Sequence, residues 1–328
     1  MFAEDTAAHA LPLRSGRKIM QKNIIKQSIA AVAAVLAMGA AGSSAWAGGL
    51  LAVDFDPTDF TTPTGLSNAY WPLLPGGDAT VFIYIGETED GCAFNKITAT
   101  PGDWKVFVDS EPGYEFYDGF VAQVVLDREW ELEDVECDDI VAALDGDPDW
   151  EPMEGLGELT FDWYAQDDYD NIWYMGEASR DFGDECPSLL EVPLGTPIDG
   201  WGDDELYFEC TGGSWEAGQF GQEEGEIVGE AGIVVPSDMP AAGEPLTPGT
   251  YWMQEVAENA QDMAKVLRAV APLDDYEACR KVKEWNPFEH GGSVEHKWYC
   301  KDGPGLVLIN GVGGGPTEIE ELVLVFSP

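Results

Sequence analysis

Apolar residues recur along this chain mainly with the periods of β-strands. Residues 81–85 (Val-Phe-Ile-Tyr-Ile) form a short continuous apolar run, the pattern of a strand buried on both faces. Apolar residues again fill both faces at 120–126. Leu159, Phe161 and Trp163 instead alternate with Glu158, Thr160 and Asp162, which predicts a strand whose polar set faces water. Further strands are expected at 171–175, 251–256, 278–285, 294–300, 306–309 and 321–326. Only 256–269 approaches helical spacing, through Val256, Ala260, Met263, Val266 and Leu267, and a strand over 263–270 competes with it. Gly- and Pro-rich connections at 195–204, 211–232 and 236–250 predict long surface loops. No fixed-period repeat is visible, which argues against a propeller or solenoid. The expected fold is all-β: an antiparallel meander forming a sandwich or a curved half-barrel, with at most one or two short helices.

The first residues carry a different signal. Arg14, Arg17, Lys18, Lys22 and Lys26 precede the apolar run 30–41, which leads to Ala45-Trp46-Ala47. This is the order of a secretory signal peptide, with cleavage expected after Ala47. The expected organisation is an extension at 1–19, a signal peptide at 20–47 and one acidic β-rich domain at 48–328, exported to the periplasm or beyond the cell. No later stretch is long and apolar enough to span a membrane as a helix.

Charge narrows the partners. Residues 48–328 hold 60 acidic and 11 basic side chains, a net charge of −49. Such a chain repels phosphate backbones, so nucleic acid is not an expected partner. Divalent cations or a small ligand are the expected ones. The six cysteines of this region, Cys92, Cys137, Cys186, Cys210, Cys279 and Cys300, form no C-x-x-C pair and read as disulfides of an exported protein.

The segments Asp162-Trp163-Tyr164-Ala165-Gln166-Asp167, Asn171-Ile172-Trp173-Tyr174-Met175-Gly176-Glu177, Ser214-Trp215-Glu216-Ala217-Gly218, Tyr251 with Gln254-Glu255, and Glu295-His296-Lys297-Trp298-Tyr299 occur in that order. Together they resemble a family of uncharacterised exported bacterial proteins. The resemblance covers most of 155–310 and implies a fold rather than an activity. Asp170 stands where that family's turn usually has Gly, and Cys300 stands in a loop that is otherwise Tyr-x-Pro-Gly-x-Gly.

Catalytic motifs are weak. Ser214 and Ser293 both miss the last Gly of G-x-S-x-G. The twelve Trp fit strand packing better than a carbohydrate platform. Asp167, Asp168, Asp170 and Asn171 read as a hairpin turn. Asp145, Asp147 and Asp149 alternate and could converge on Ca²⁺ or another divalent cation, although the EF-hand pattern fails at Trp150 and Leu156.

The richest constellation is a hairpin. Strands 278–285 and 294–301, joined through Pro287 and Gly291-Gly292, pair symmetrically if Cys279 lies opposite Cys300 as a cross-strand disulfide. Lys283 then faces His296, and Glu284 faces Glu295, an unfavourable pairing unless a cation or proton intervenes. Residues 265–301 hold seven of the 11 bases and only six acids. This near-neutral island is read as an internal salt-bridge network or as a metal site of Glu284, Glu295 and His296. The expected function is a non-catalytic exported binding or surface protein loaded with a cation. The competing expectations are a metal-assisted hydrolase centred on those three residues and a carrier whose curved sheet encloses an apolar ligand.

Self-repulsion in so acidic a chain should be relieved by screening. The thermal midpoint is expected to rise with NaCl. A flat or falling midpoint would mean that local pairs or bound cations already neutralise the charge.

Overall fold

The computed structural model describes residues 49–88, 91–108, 110–182, 214–219, 229–241, 244–257, 261–287, 294–301, 303–313 and 319–327. The expected leader, Cys186, Cys210 and the tip of the 285–294 turn lie outside the described residues. No described helix is long and apolar enough to cross a membrane.

Among the described residues thirteen strands make one antiparallel sheet. In chain order they are β1 (Thr80–Glu87), β2 (Gly91–Val106), β3 (Val121–Glu133), β4 (Leu156–Gln166), β5 (Ile172–Asp181), β6 (Trp215–Glu216), β7 (Gly232–Val235), β8 (Tyr251–Met253), β9 (Met263–Arg268), β10 (Cys279–Trp285), β11 (Val294–Cys300), β12 (Gly305–Gly313) and β13 (Ile319–Phe326). The sheet order is β6-β5-β4-β3-β2-β1-β13-β12-β11-β10-β9-β8, with β7 also on β5. Two meanders are thus joined where β1 pairs with β13. Their free ends meet as well. Glu230, just before β7, bridges antiparallel to Val256, just after β8, with Glu230 N–H donating to Val256 O at 2.9 Å. The all-β meander is as expected, but it is a single sheet curled into a closed ring and not a two-sheet sandwich. Met263–Arg268 is a strand, which settles the ambiguous segment against a helix.

Among the described residues the α-helix lies elsewhere. Helix α1 (Cys137–Gly146) places Ile140 and Leu144 one turn apart, with Asp138 and Asp139 in the first turn where they favour the helix dipole. Its apolar side covers Val81, Ile83, Ile85, Phe94 and Trp130 on the outside of the sheet. The Cys92–Cys137 disulfide fastens it to β2.

The inside of the ring is divided along its length. At one end, Phe82, Tyr84, Trp252, Val266, Val282, Tyr299 and Leu306 form an apolar core. The segment 61–74 lies across this end: Gln166 N–H donates to Pro63 O at 2.8 Å, and the Trp71 and Tyr164 rings pack 5.1 Å apart. Buried Arg280 clamps the segment, with its guanidinium 3.8 Å from the Tyr70 ring and 3.0 Å from Asp238 Oδ1. The β4–β5 turn is also here. Asp167 accepts from Tyr169 N–H, Asn171 N–H and Trp173 Nε1–H at 2.8–2.9 Å, while Asp170 takes φ +64°, a left-handed position that favours Gly. The turn reading of these residues therefore describes their role.

The β10–β11 register is the expected one, with Cys279 opposite Cys300 and joined to it. Two disulfides fit an oxidising compartment. Among the described residues no cysteine is free. In the chain-entropy model, the double Ser variant of Cys279 and Cys300 is expected to lose about 3 kcal/mol and that of Cys92 and Cys137 about 4 kcal/mol. Urea unfolding measures both, and losses below about 1 kcal/mol would mean that the sheet already closes these loops in the unfolded ensemble.

Candidate functional site: an acidic cavity inside the sheet

The other end of the ring is polar. Inside lies a cavity of about 200 Å³ lined from eight strands or their ends. Asp127 comes from β3, Glu158, Thr160, Asp162 and Tyr164 from β4, and Tyr174 and Glu177 from β5. Val234 of β7, Gln254, Glu255 and Asp262 between β8 and β9, Glu284 of β10 and Lys297 of β11 complete it. Seven carboxyl groups thus share the space with one ammonium.

Strand alternation explains the convergence. Glu158, Thr160, Asp162 and Tyr164 are every second residue of β4 and share one face. This is the polar set expected to face water. It faces the interior instead, because the sheet closes, and Asp162 is only 6% exposed. Tyr174 and Glu177, three residues apart, would normally point to opposite faces. A register shift opposite Trp163 brings both inward, so that Tyr164 pairs with Tyr174 and Asp162 with Glu177. Gly176 makes this irregularity at φ +127°, where an added Cβ would lie 2.3 Å from Trp215 O.

The polar contacts fix a protonation pattern. Tyr174 Oη lies 2.6 Å from Asp162 Oδ1 and also hydrogen-bonds with Glu177 Oε2. A phenol has one proton to give, so one of the two carboxyl groups must carry a proton and donate it. Burial, opposed by the Tyr174 hydrogen bond and assisted by Glu158, pushes Asp162 up to about 7. Burial, Asp262 and Asp162 push Glu255 up to about 8. Asp127 and Glu177 are also raised well above the ordinary range, first by burial and then by neighbouring carboxylates. Asp127 Oδ1 is buried without a hydrogen-bond partner.

On the opposite wall, Glu284 and Glu295 face each other as expected. The intervening cation is Lys297, whose Nζ lies 2.8 Å from Glu284 and 3.3 Å from Glu295. Burial opposes its charge, but the two carboxylates outweigh burial and hold Lys297 well above its ordinary range. Tyr299 Oη donates to the other Glu284 oxygen at 3.0 Å.

The metal candidates are not assembled. His296 is adjacent in sequence to Glu295 and therefore points to the other side of β11, beside Lys281, Lys283 and Trp298. Burial and the two lysines depress it to about 4. Glu284, Glu295 and His296 consequently cannot act as one site. Asp145, Asp147 and Asp149 are exposed at and beyond the end of α1, where Asp149 N–H donates to Asp147 Oδ1 at 3.1 Å. Among the described residues no three His, Cys, Asp or Glu side chains are grouped to hold a metal. Sequence reasoning missed Asp127, Asp162, Glu177 and Glu255. The polar alternation of β4 was their one local signal.

Raised carboxyl pKa values link stability to pH. The ordinary values are 3.8 for Asp162 and 4.5 for Glu255, against about 7 and 8 in the fold. Between these limits the folded state holds protons that the unfolded chain has released. Stability from this source is full below about pH 4 and is lost as pH rises through 7 and 8. The thermal midpoint is expected to fall from pH 6 to pH 9. Glu255→Gln should stabilise the protein at pH 9 by roughly 2 kcal/mol and flatten the profile. A midpoint that rises over this range in both proteins would contradict the assignment.

Comparison with protein-family models, with curated proteins and with solved structures finds no match to the chain.

Proposed function

We propose that this is an exported, non-catalytic binding protein that takes a small organic cation, an amine or diamine, into the acidic cavity. The observation that carries the reading is seven carboxyl groups and two tyrosine side chains around about 200 Å³ that contains one ammonium. Lys297 is the built-in precedent, since a primary amine already sits between two opposed glutamates there. An ammonium ligand suits dispersed acceptors because its N–H groups each seek one oxygen. Ca²⁺ instead needs six to eight oxygens at about 2.3–2.6 Å from one point. Tyr164 and Tyr174, stacked 5.0 Å apart, add ring faces that attract a cation.

Binding would displace protons from carboxyl groups that are neutral in the empty cavity. Affinity is therefore expected to rise as pH passes through 7 to 8, with proton release. Calorimetry with cadaverine at pH 6 and pH 8.5, in buffers of different ionisation enthalpy and at constant ionic strength, measures both. Asp162→Asn with Glu255→Gln should weaken binding about tenfold, a change of about 1.4 kcal/mol. Absence of cadaverine binding at either pH, or binding of CaCl₂ alone, would refute the proposal.

A further inference from the structure

Residues 265–301 are near neutral as a stretch of sequence, but the sheet separates their charges. The acids of β10 and β11 are Glu284 and Glu295, and both face inward with Lys297. The outer face of β9, β10 and β11 holds Lys265, Arg268, Lys281 and Lys283 and no carboxylate. Register places Lys283 between Lys265 and His296, and Lys281 between Arg268 and Trp298. None of the four cations is within salt-bridge distance of a carboxylate among the described residues. The expected salt-bridge network of this hairpin thus involves Lys297 and not the outer cations.

Aromatic rings are interleaved with these charges. Lys281 Nζ stands 4.1 Å from the Trp298 ring centre and Lys283 Nζ 4.6 Å from that of Trp285. Both Trp are half-buried, and Trp298 packs against the Cys279–Cys300 cluster. Outward positions repeat every ~7 Å along a strand and every ~4.8 Å between strands. Like charges opposed in a ladder are unfavourable. Burial and then Arg268 depress Lys281, as burial and the two lysines depress His296. The face keeps this repulsion in a chain with 62 acids.

We propose that the outer face of β9–β11 binds an anionic polysaccharide, a chain of sugar rings bearing carboxylate or sulfate groups. Ammonium groups held over the Trp rings offer each anionic substituent a counter-charge, and the part-exposed indole surfaces give the sugar rings an apolar contact. The −46 charge of the whole chain repels a polyanion at long range, while the local cations decide the contact. Binding should therefore be weak at very low salt, strongest at intermediate salt and lost at high salt.

Calorimetry or affinity electrophoresis of the full chain with polygalacturonate, dextran sulfate, neutral dextran and phosphatidylglycerol vesicles tests this. Binding to polygalacturonate or dextran sulfate but not to dextran is expected, and the one preferred identifies the anionic group. Lys265→Gln with Lys283→Gln should weaken binding at least tenfold and relieve repulsion in the fold. Met153→Glu with Val108→Glu changes the net charge equally at exposed positions away from this face and should have less than a twofold effect. No binding to either anionic polymer, binding to vesicles alone, or equal losses in the two double variants would overturn the proposal.

Discussion

Closing one sheet upon itself forces every second residue of every strand into a shared interior, whatever its polarity. An open sheet can turn a polar face to water. The inner face of a ring cannot, except at its ends. Here the β1–β13 pairing and the Glu230–Val256 bridge close the ring, and the polar alternation of β4 is thereby carried inside. Burying ionised carboxylates without partners is costly, so they must acquire protons or counter-charges. Both solutions occur on facing walls. Asp162, Glu177 and Glu255 are driven toward their neutral forms, while Glu284 and Glu295 share the Lys297 ammonium.

The two halves of the interior depend on each other through β4. Tyr164 packs edge-to-face with Trp71 in the apolar end and stacks on Tyr174 at the edge of the acidic end. The apolar half, with segment 61–74 across it, supplies burial that offsets the cost of holding repelling groups close together in the other. Gly176 contributes by geometry, since without its irregularity either Tyr174 or Glu177 would leave the cavity and the shared proton would lose its second acceptor.

Local features of this arrangement were legible in the sequence. Equal distances of Cys279 and Cys300 from a Pro- and Gly-containing turn were enough to set the register, and the Asp167–Asn171 turn followed from residues that tolerate tight backbone. The cavity was not legible, because Asp127, Asp162 and Glu255 meet only through strand pairings far apart in sequence. Whether the polar side of β4 faces water or an interior depends on ring closure, which no local pattern encodes. Grouping His296 with Glu295 was a different kind of error, since neighbouring strand residues point to opposite faces and the sequence already excluded it. Helix α1 was passed over because ten residues with two core positions make a weak periodic signal.

That same alternation gives the 265–301 region its meaning. Average charge along the chain is a poor guide where successive residues belong to different faces. Arg280 and Lys301 hold Asp238, and Arg280 also clamps Tyr70. Lys297 alone enters the acidic cavity, where two opposed glutamates require a cation. The other four bases stand on the outer face without a carboxylate among them. One hairpin with its neighbouring strand therefore gives a wall of an acidic chamber on one side and a basic, aromatic surface on the other. A binding function assigned to either side makes no demand on the other, because the backbone between them fixes both.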